Sequence, residues 1–135
     1  MIGFIGLGIM GKPMVKNLLK AGAQVRVNDL VQSAVDEVAA LGALPSTQAQ
    51  IGADCDVIFT ILPNGAIVKN VLFGENGVAS TLRQGALVVD MSSVTPGESR
   101  ACAERLARQD VAFLDAPVSG GEPGAINGTL SFMVG

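Results

Sequence analysis

The sequence predicts an α/β fold, a doubly wound and mainly parallel sheet. Three observations lead there. Short apolar runs alternate with stretches whose apolar residues recur at helical spacing, in the order βαβαβ and onward. The apolar runs are continuous, as strands buried on both faces require. Glycine is abundant, at 17 residues, and aromatics make up only 4%, a composition suited to close packing and tight turns.

Each element has a local reason. Met1–Ile5 is a strand closed by Gly6. From Ile9 to Lys20 the residues Met10, Met14 and Leu18 recur at helical spacing, and Lys20-Ala21-Gly22 is a stop signal. Pro13 falls in the first turn, where its missing N–H does little harm. Gln24–Asp29 reads as a second strand, and Gln32–Leu41 as a helix ended by Gly42. A short strand at Ala43-Leu44 and a small helix at Gln48–Ile51 follow. Cys55–Leu62 is the strongest strand, closed by Pro63-Asn64-Gly65. Ile67, Val68, Val71 and Leu72 have helical spacing, and Gly74–Gly77 is a turn. Ala86–Met91 is another strand. Thr95-Pro96-Gly97-Glu98 fits a capping box with proline at the first helical position, opening a helix to about Gln109. Val111–Asp115 is a strand, Ser119–Pro123 opens a short helix, and Leu130–Val134 is a last strand.

Composition removes several function classes. With 135 residues the chain is one domain by size. It is 49% hydrophobic, with a mean hydropathy of +0.47, which excludes a disordered chain. A net charge of −3 argues against a nucleic-acid partner, because phosphate backbones are held by a basic field. No run approaches the roughly 18 apolar residues that cross a bilayer, so no membrane partner is expected. There is no His and no Tyr, the commonest acids in carbonyl chemistry, and zinc sites built on His are excluded. Cys55 and Cys102 lie far apart and form no C-x-x-C; they read as two buried thiols in a reducing compartment, with no metal site. No basic n-region follows Met1, so a secretory signal is not expected and the cytoplasm is the expected compartment.

The chemistry begins at Gly6-Leu7-Gly8-Ile9-Met10-Gly11, a G-x-G-x-x-G match. It follows a strand, opens a helix, and meets an acid, Asp29, at the end of the next strand, close to the roughly 20-residue offset of a dinucleotide fold. Gly6 permits the tight turn. Gly8 lets the backbone approach a pyrophosphate, and Gly11 lets helix and strand pack closely. The helix start offers N–H groups and partial positive charge to phosphates. The bland alternative is a glycine-rich turn of a nucleotide-free fold. Asp29 can accept hydrogen bonds from the adenosine ribose hydroxyls and would repel a 2′-phosphate, which favours NAD while leaving NADP possible. The residue after it is Leu30, not Arg, and Arg26 sits on the wrong part of the strand to help. The alternative for Asp29 is a cap on the following helix. Asn28 beside it is counted in the same cofactor site.

The stretch Phe4-Ile5-Gly6-Leu7-Gly8-Ile9-Met10-Gly11-Lys12-Pro13-Met14, with Asn17-Leu18, Lys20 and Gly22, resembles the β-hydroxyacid dehydrogenase family, which includes 3-hydroxyisobutyrate dehydrogenase. Leu62-Pro63-Asn64, Asp90-Met91-Ser92-Ser93 and Asp115–Gly121 extend the resemblance over essentially the whole chain. Val15 departs from the Ser or Ala usual in the family, a change of packing. Gly74–Gly77, Ser119–Pro123 and Gly128-Thr129-Leu130 resemble the family's tartronate semialdehyde (2-hydroxy-3-oxopropionate) reductase branch.

The resemblance implies a Rossmann-type domain of an NAD(P)-dependent oxidoreductase acting on a small β-hydroxyacid or its semialdehyde. It implies that Ile9 and Met10 meet the pyrophosphate through their backbone, that Leu62 and Pro63 line the nicotinamide-side ribose with Asn64 nearby, and that Ser93 meets the nicotinamide end. Ser119, Gly120 and Gly121 would hold the substrate; a hydroxyl and successive N–H groups before a helix suit a carboxylate, and a plain left-handed turn is the alternative. The resemblance places the catalytic Lys in a second, all-helical domain that follows, so residues 1–135 are expected to be the cofactor-binding half, with no catalytic residue of their own. Homo-oligomers are expected through that domain. Lys12, Lys16, Lys20 and Lys69 read as solvated, and Asp115 as structural. Two other readings remain open: a 6-phosphogluconate dehydrogenase relative, and, from another class, a non-catalytic dinucleotide-binding module.

Overall fold

In the computed structural model, which describes residues 1–135, strands and helices alternate along the chain. β1 (Ile2–Ile5), β2 (Val25–Asn28), β3 (Leu44–Pro45), β4 (Val57–Thr60), β5 (Leu87–Asp90) and β6 (Ala112–Asp115) form one sheet in the order 3-2-1-4-5-6. Every pairing in it is parallel. The direction of winding reverses between β1 and β4. The loops leaving their carboxyl ends therefore diverge to opposite faces and leave a crevice, the place where open α/β sheets take ligands.

The helices are α1 (Gly11–Lys20), α2 (Gln32–Ala39), α3 (Gln48–Asp54), α4 (Gly65–Phe73), α5 (Pro96–Ala107) and α6 (Gly121–Asn127). α1 ends where Gly22, at φ +87°, lets the N–H of Ala23 reach back to Leu18 and that of Gly22 to Leu19. α3 and α5 open on reciprocal capping boxes, Thr47 with Gln50 and Thr95 with Glu98. Apolar residues fill both faces of the sheet. Ile51, Ile58, Leu72, Val88 and Leu106 form one cluster; Phe4, Val15, Val25, Val27 and Val38 form the other. Val15 is fully buried, so the family departure there is a core substitution. Cys55 and Cys102 are free and buried, and burial raises both thiols above their ordinary pKa.

Several boundaries differ from the sequence reading, three of them for reasons of local geometry. α1 starts at Gly11, not Ile9, because residues 8–10 form the turn. β4 spans Val57–Thr60, not Cys55–Leu62. Cys55 closes α3, its N–H bonding Ile51, and Leu62 leaves the ladder. The strand expected over Leu130–Val134 shrinks to β8 (Ser131–Phe132), which pairs antiparallel with β7 (Val118–Ser119) outside the main sheet. No helix is long and apolar enough to cross a membrane.

Candidate functional site

The crevice at the β1/β4 switch has a volume of about 820 Å³ and is walled by the Gly6–Pro13 loop, Asp29, and Ile61–Pro63. The three glycines of the loop have different causes. Gly6 adopts φ +107°, and a Cβ there would collide with the Ile61 carbonyl oxygen. A Cβ on Gly11 would collide with the carbonyl oxygen of Gly6. The chain's own packing thus demands both. Gly8 has no positive φ, and a Cβ on it would meet no atom within 4 Å. Nothing in the protein requires glycine at this position, and its bare face borders the crevice.

The donors there are free. The N–H groups of Gly8, Ile9 and Met10 bond no acceptor in the chain, and α1 has no capping side chain. An uncapped helix start with unpaired amides beside a Cβ-free backbone fits a pyrophosphate. Asp29 fixes the loop from the next strand. Its Oδ2 accepts the Leu7 N–H at 2.7 Å and its Oδ1 the Val31 N–H at 2.7 Å. It does not cap α2, whose N-cap is Val31 with no side-chain bond. Each carboxylate oxygen keeps a lone pair free to accept a hydroxyl. Arg26 is committed elsewhere, 3.0 Å from both Asp54 and Ser46.

The structure therefore brings Gly6, Leu7, Gly8, Ile9, Met10, Gly11, Asp29, Leu62 and Pro63 together. Other expected residues stand outside this wall. Asn28 donates its amide to the Ser46 carbonyl at 2.9 Å. Asn64 caps α4, its Oδ1 accepting the Ile67 N–H at 3.0 Å. Ser93 is exposed. Ser119 lies in β7, and Gly120 and Gly121, at φ +129° and +59°, turn the chain into α6. The next residue, Glu122, does reach the crevice, together with Ile126. α6 is anchored on α1 by the Asn17 amide, which donates to the Ala125 carbonyl at 2.8 Å.

Some wall residues escaped the sequence reading. Lys12 and Lys16 were expected on a solvated face, yet they border the crevice and grip Glu37 Oε2 at 3.0 and 3.3 Å. Hydrogen bonds from Lys12, then Lys16, hold the Glu37 carboxyl below its ordinary pKa. The i, i+4 spacing of the two lysines puts them on one helical face, but their partner on α2 has no local signature. Ser92 stands in the Asp90–Ser93 motif, but the sequence assigns it no role. Its Oγ accepts the Leu62 N–H at 2.8 Å and so fixes the Ile61–Pro63 wall of the crevice.

The sequence profile of the NAD-binding domain of 6-phosphogluconate dehydrogenase matches residues 1–135. The chain belongs to this NAD-binding family. The chain is similar to proteins that include 3-hydroxyisobutyrate dehydrogenases, as the loop motifs imply. It is 49% identical to 2-(hydroxymethyl)glutarate dehydrogenase of Eubacterium barkeri, over 99% of this chain and 45% of that protein. It is 47% identical to 2-hydroxy-3-oxopropionate reductase of Escherichia coli strain K12, over 99% and 46%. The solved structure of Mycobacterium tuberculosis 3-hydroxyisobutyrate dehydrogenase with L-serine superposes with a TM-score of 0.93 at 37% identity, covering 99% of this chain and 45% of that one. The domain thus spans about half the length of the relatives it matches.

Proposed function

We propose that the domain is the cofactor half of an oxidoreductase that interconverts a small β-hydroxyacid and its semialdehyde, with tartronate semialdehyde as the substrate. The observation that carries this reading is the free amides of Gly8, Ile9 and Met10 beside the bare face of Gly8. These amides hold the pyrophosphate. Asp29 accepts the adenosine ribose hydroxyls and repels a 2′-phosphate, so NAD is preferred over NADP. Leu62 and Pro63 cover the nicotinamide-side ribose, while Asn64 and Ser93 lie toward the nicotinamide end. The bound nicotinamide gives or accepts the hydride; the protein supplies orientation and electrostatics. Ser119, Gly120 and Gly121 hold the substrate carboxylate.

Reduction of an aldehyde also needs a proton donor. The chain has no His and no Tyr, and its crevice lysines are paired with Glu37. We assign the donor to a Lys of a helical second domain, which also carries the contacts of a homo-oligomer. The tartronate assignment rests on Gly74–Gly77, Ser119–Pro123 and Gly128–Leu130, and on the 47% identity to 2-hydroxy-3-oxopropionate reductase. Two measurements test it. Fluorescence titration of residues 1–135 should show saturable NADH binding, tighter than NADPH, without turnover of tartronate semialdehyde. A protein carrying both domains should reduce tartronate semialdehyde in preference to the semialdehyde of 3-hydroxyisobutyrate. Turnover by residues 1–135 alone would overturn the assignment of the acid, and the reverse preference would overturn the assignment of the substrate.

A further inference from the structure

Asp90 stands at the carboxyl end of β5 with no exposed surface and no cationic partner. Its strand is otherwise Leu87-Val88-Val89, and an unpaired carboxylate so deeply buried is expensive for the fold. One oxygen, Oδ2, meets no donor. The other, Oδ1, accepts the Thr60 hydroxyl at 2.8 Å and the Ser92 N–H at 3.2 Å. These contacts tie together the carboxyl ends of β4 and β5. Ser92, itself buried, then accepts the Leu62 N–H on its Oγ at 2.8 Å. The far end of the same loop is braced as well. A Cβ on Gly65 would collide with the Glu98 carboxylate, so α5 abuts the start of α4 directly. The segment from Asp90 to Glu98 therefore clasps the Leu62–Gly65 loop at both ends.

We propose that Asp90 is a positioning residue for the nicotinamide side of the crevice, acting through Ser92 on the backbone of Leu62. The inference rests on the reading of Leu62 and Pro63 as the wall of the nicotinamide-side ribose. Asp90 orients Ser92; Ser92 fixes the backbone of Leu62; Leu62 and Pro63 form the nicotinamide-side wall of the crevice. Asp29, which stands on the adenosine side, bonds only the Leu7 and Val31 amides and makes no hydrogen bond to this relay.

That separation supplies the test. NADH and ADP are titrated against wild type, Ser92→Ala, Asp90→Ala and Asp90→Asn, with folding checked by circular dichroism. Removing one hydrogen bond to the half-buried Leu62 N–H should raise the NADH Kd of Ser92→Ala about tenfold while the ADP Kd stays put. Asp90→Ala should show the same split, and Asp90→Asn, which keeps an Oδ1 acceptor, should recover most of the loss. Equal weakening of both ligands, or of neither, overturns the proposal. If Asp90→Ala fails to fold, Ser92→Ala still decides. Wild type that binds ADP and NADH equally overturns the nicotinamide-wall reading itself, whereas wild type that prefers NADH with an unchanged Ser92→Ala overturns the relay alone.

Discussion

Gly8 and Gly11 look alike in sequence and should behave in opposite ways when a methyl group is added. At Gly11 the new Cβ would run into the Gly6 carbonyl oxygen, which is backbone and cannot rotate aside. Gly11→Ala should therefore cost stability at the upper end of the roughly 1–3 kcal/mol typical of overpacking. At Gly8 the Cβ meets nothing within 4 Å and the backbone needs no positive φ. Gly8→Ala should leave stability unchanged or raise it by about 0.4–1 kcal/mol, through the stiffer unfolded chain. Its effect falls on the ligand instead. The methyl group projects beside the free amides of Gly8, Ile9 and Met10, where the pyrophosphate is proposed to lie. Losing the fit to these amides should weaken NADH at least tenfold, about 1.4 kcal/mol. Urea unfolding measures the first quantity and fluorescence titration the second. A Gly8→Ala protein that binds NADH like wild type would refute the reasoning, as would one that loses stability like Gly11→Ala.

Asp29→Ala releases two backbone amides and removes the charge facing a 2′-phosphate, so NADH binding should weaken by about tenfold and the preference over NADPH should narrow; an unchanged NADH/NADPH ratio would count against Asp29 as the selector. Burial raises the Asp90 carboxyl above its ordinary pKa, against opposing hydrogen bonds from Ser92 and Thr60. The folded state then keeps a proton that the unfolded chain has released, and this group's contribution to stability declines as pH rises from about 4 toward the raised value. Asp90→Asn should abolish that decline, and a wild-type-minus-variant difference that is flat with pH would contradict it. Thr95→Ala removes the cap on the Glu98 N–H and should lower stability by about 1 kcal/mol while leaving ADP binding alone; parallel loss of ADP affinity would show that α5 bears on the adenosine side as well.

What could be read before the structure was what is local. The Thr95–Glu98 capping box was legible because both partners lie within one turn. Thr47 and Gln50 make the same box, a signal present in the sequence but overlooked. The loop after β1 was legible because each glycine's neighbours are set by the strand–turn–helix path. That Gly6 serves the turn and Gly11 the helix–strand packing was legible with it; the atoms that enforce this, the carbonyl oxygens of Ile61 and Gly6, were not. Leu62 extends an apolar run and so read as strand, yet its N–H turns to Ser92, 30 residues away. Asp90 belonged to a recognisable motif, but its burial and its bond to Thr60 arise only when β4 and β5 align. The β7–β8 ladder is two residues long on each side, too short for any alternating pattern to emerge.

The central claim is that the amides opening α1 bind a dinucleotide pyrophosphate. Its most direct test is an amide chemical-shift titration of the ¹⁵N-labelled domain with NAD⁺. The account predicts the largest shifts at Gly8, Ile9 and Met10, with smaller ones at Leu7 and Leu62. Saturable shifts confined to the apolar cleft lined by Phe59, Leu130 and Phe132, or no shifts at all along the loop after β1, would contradict it.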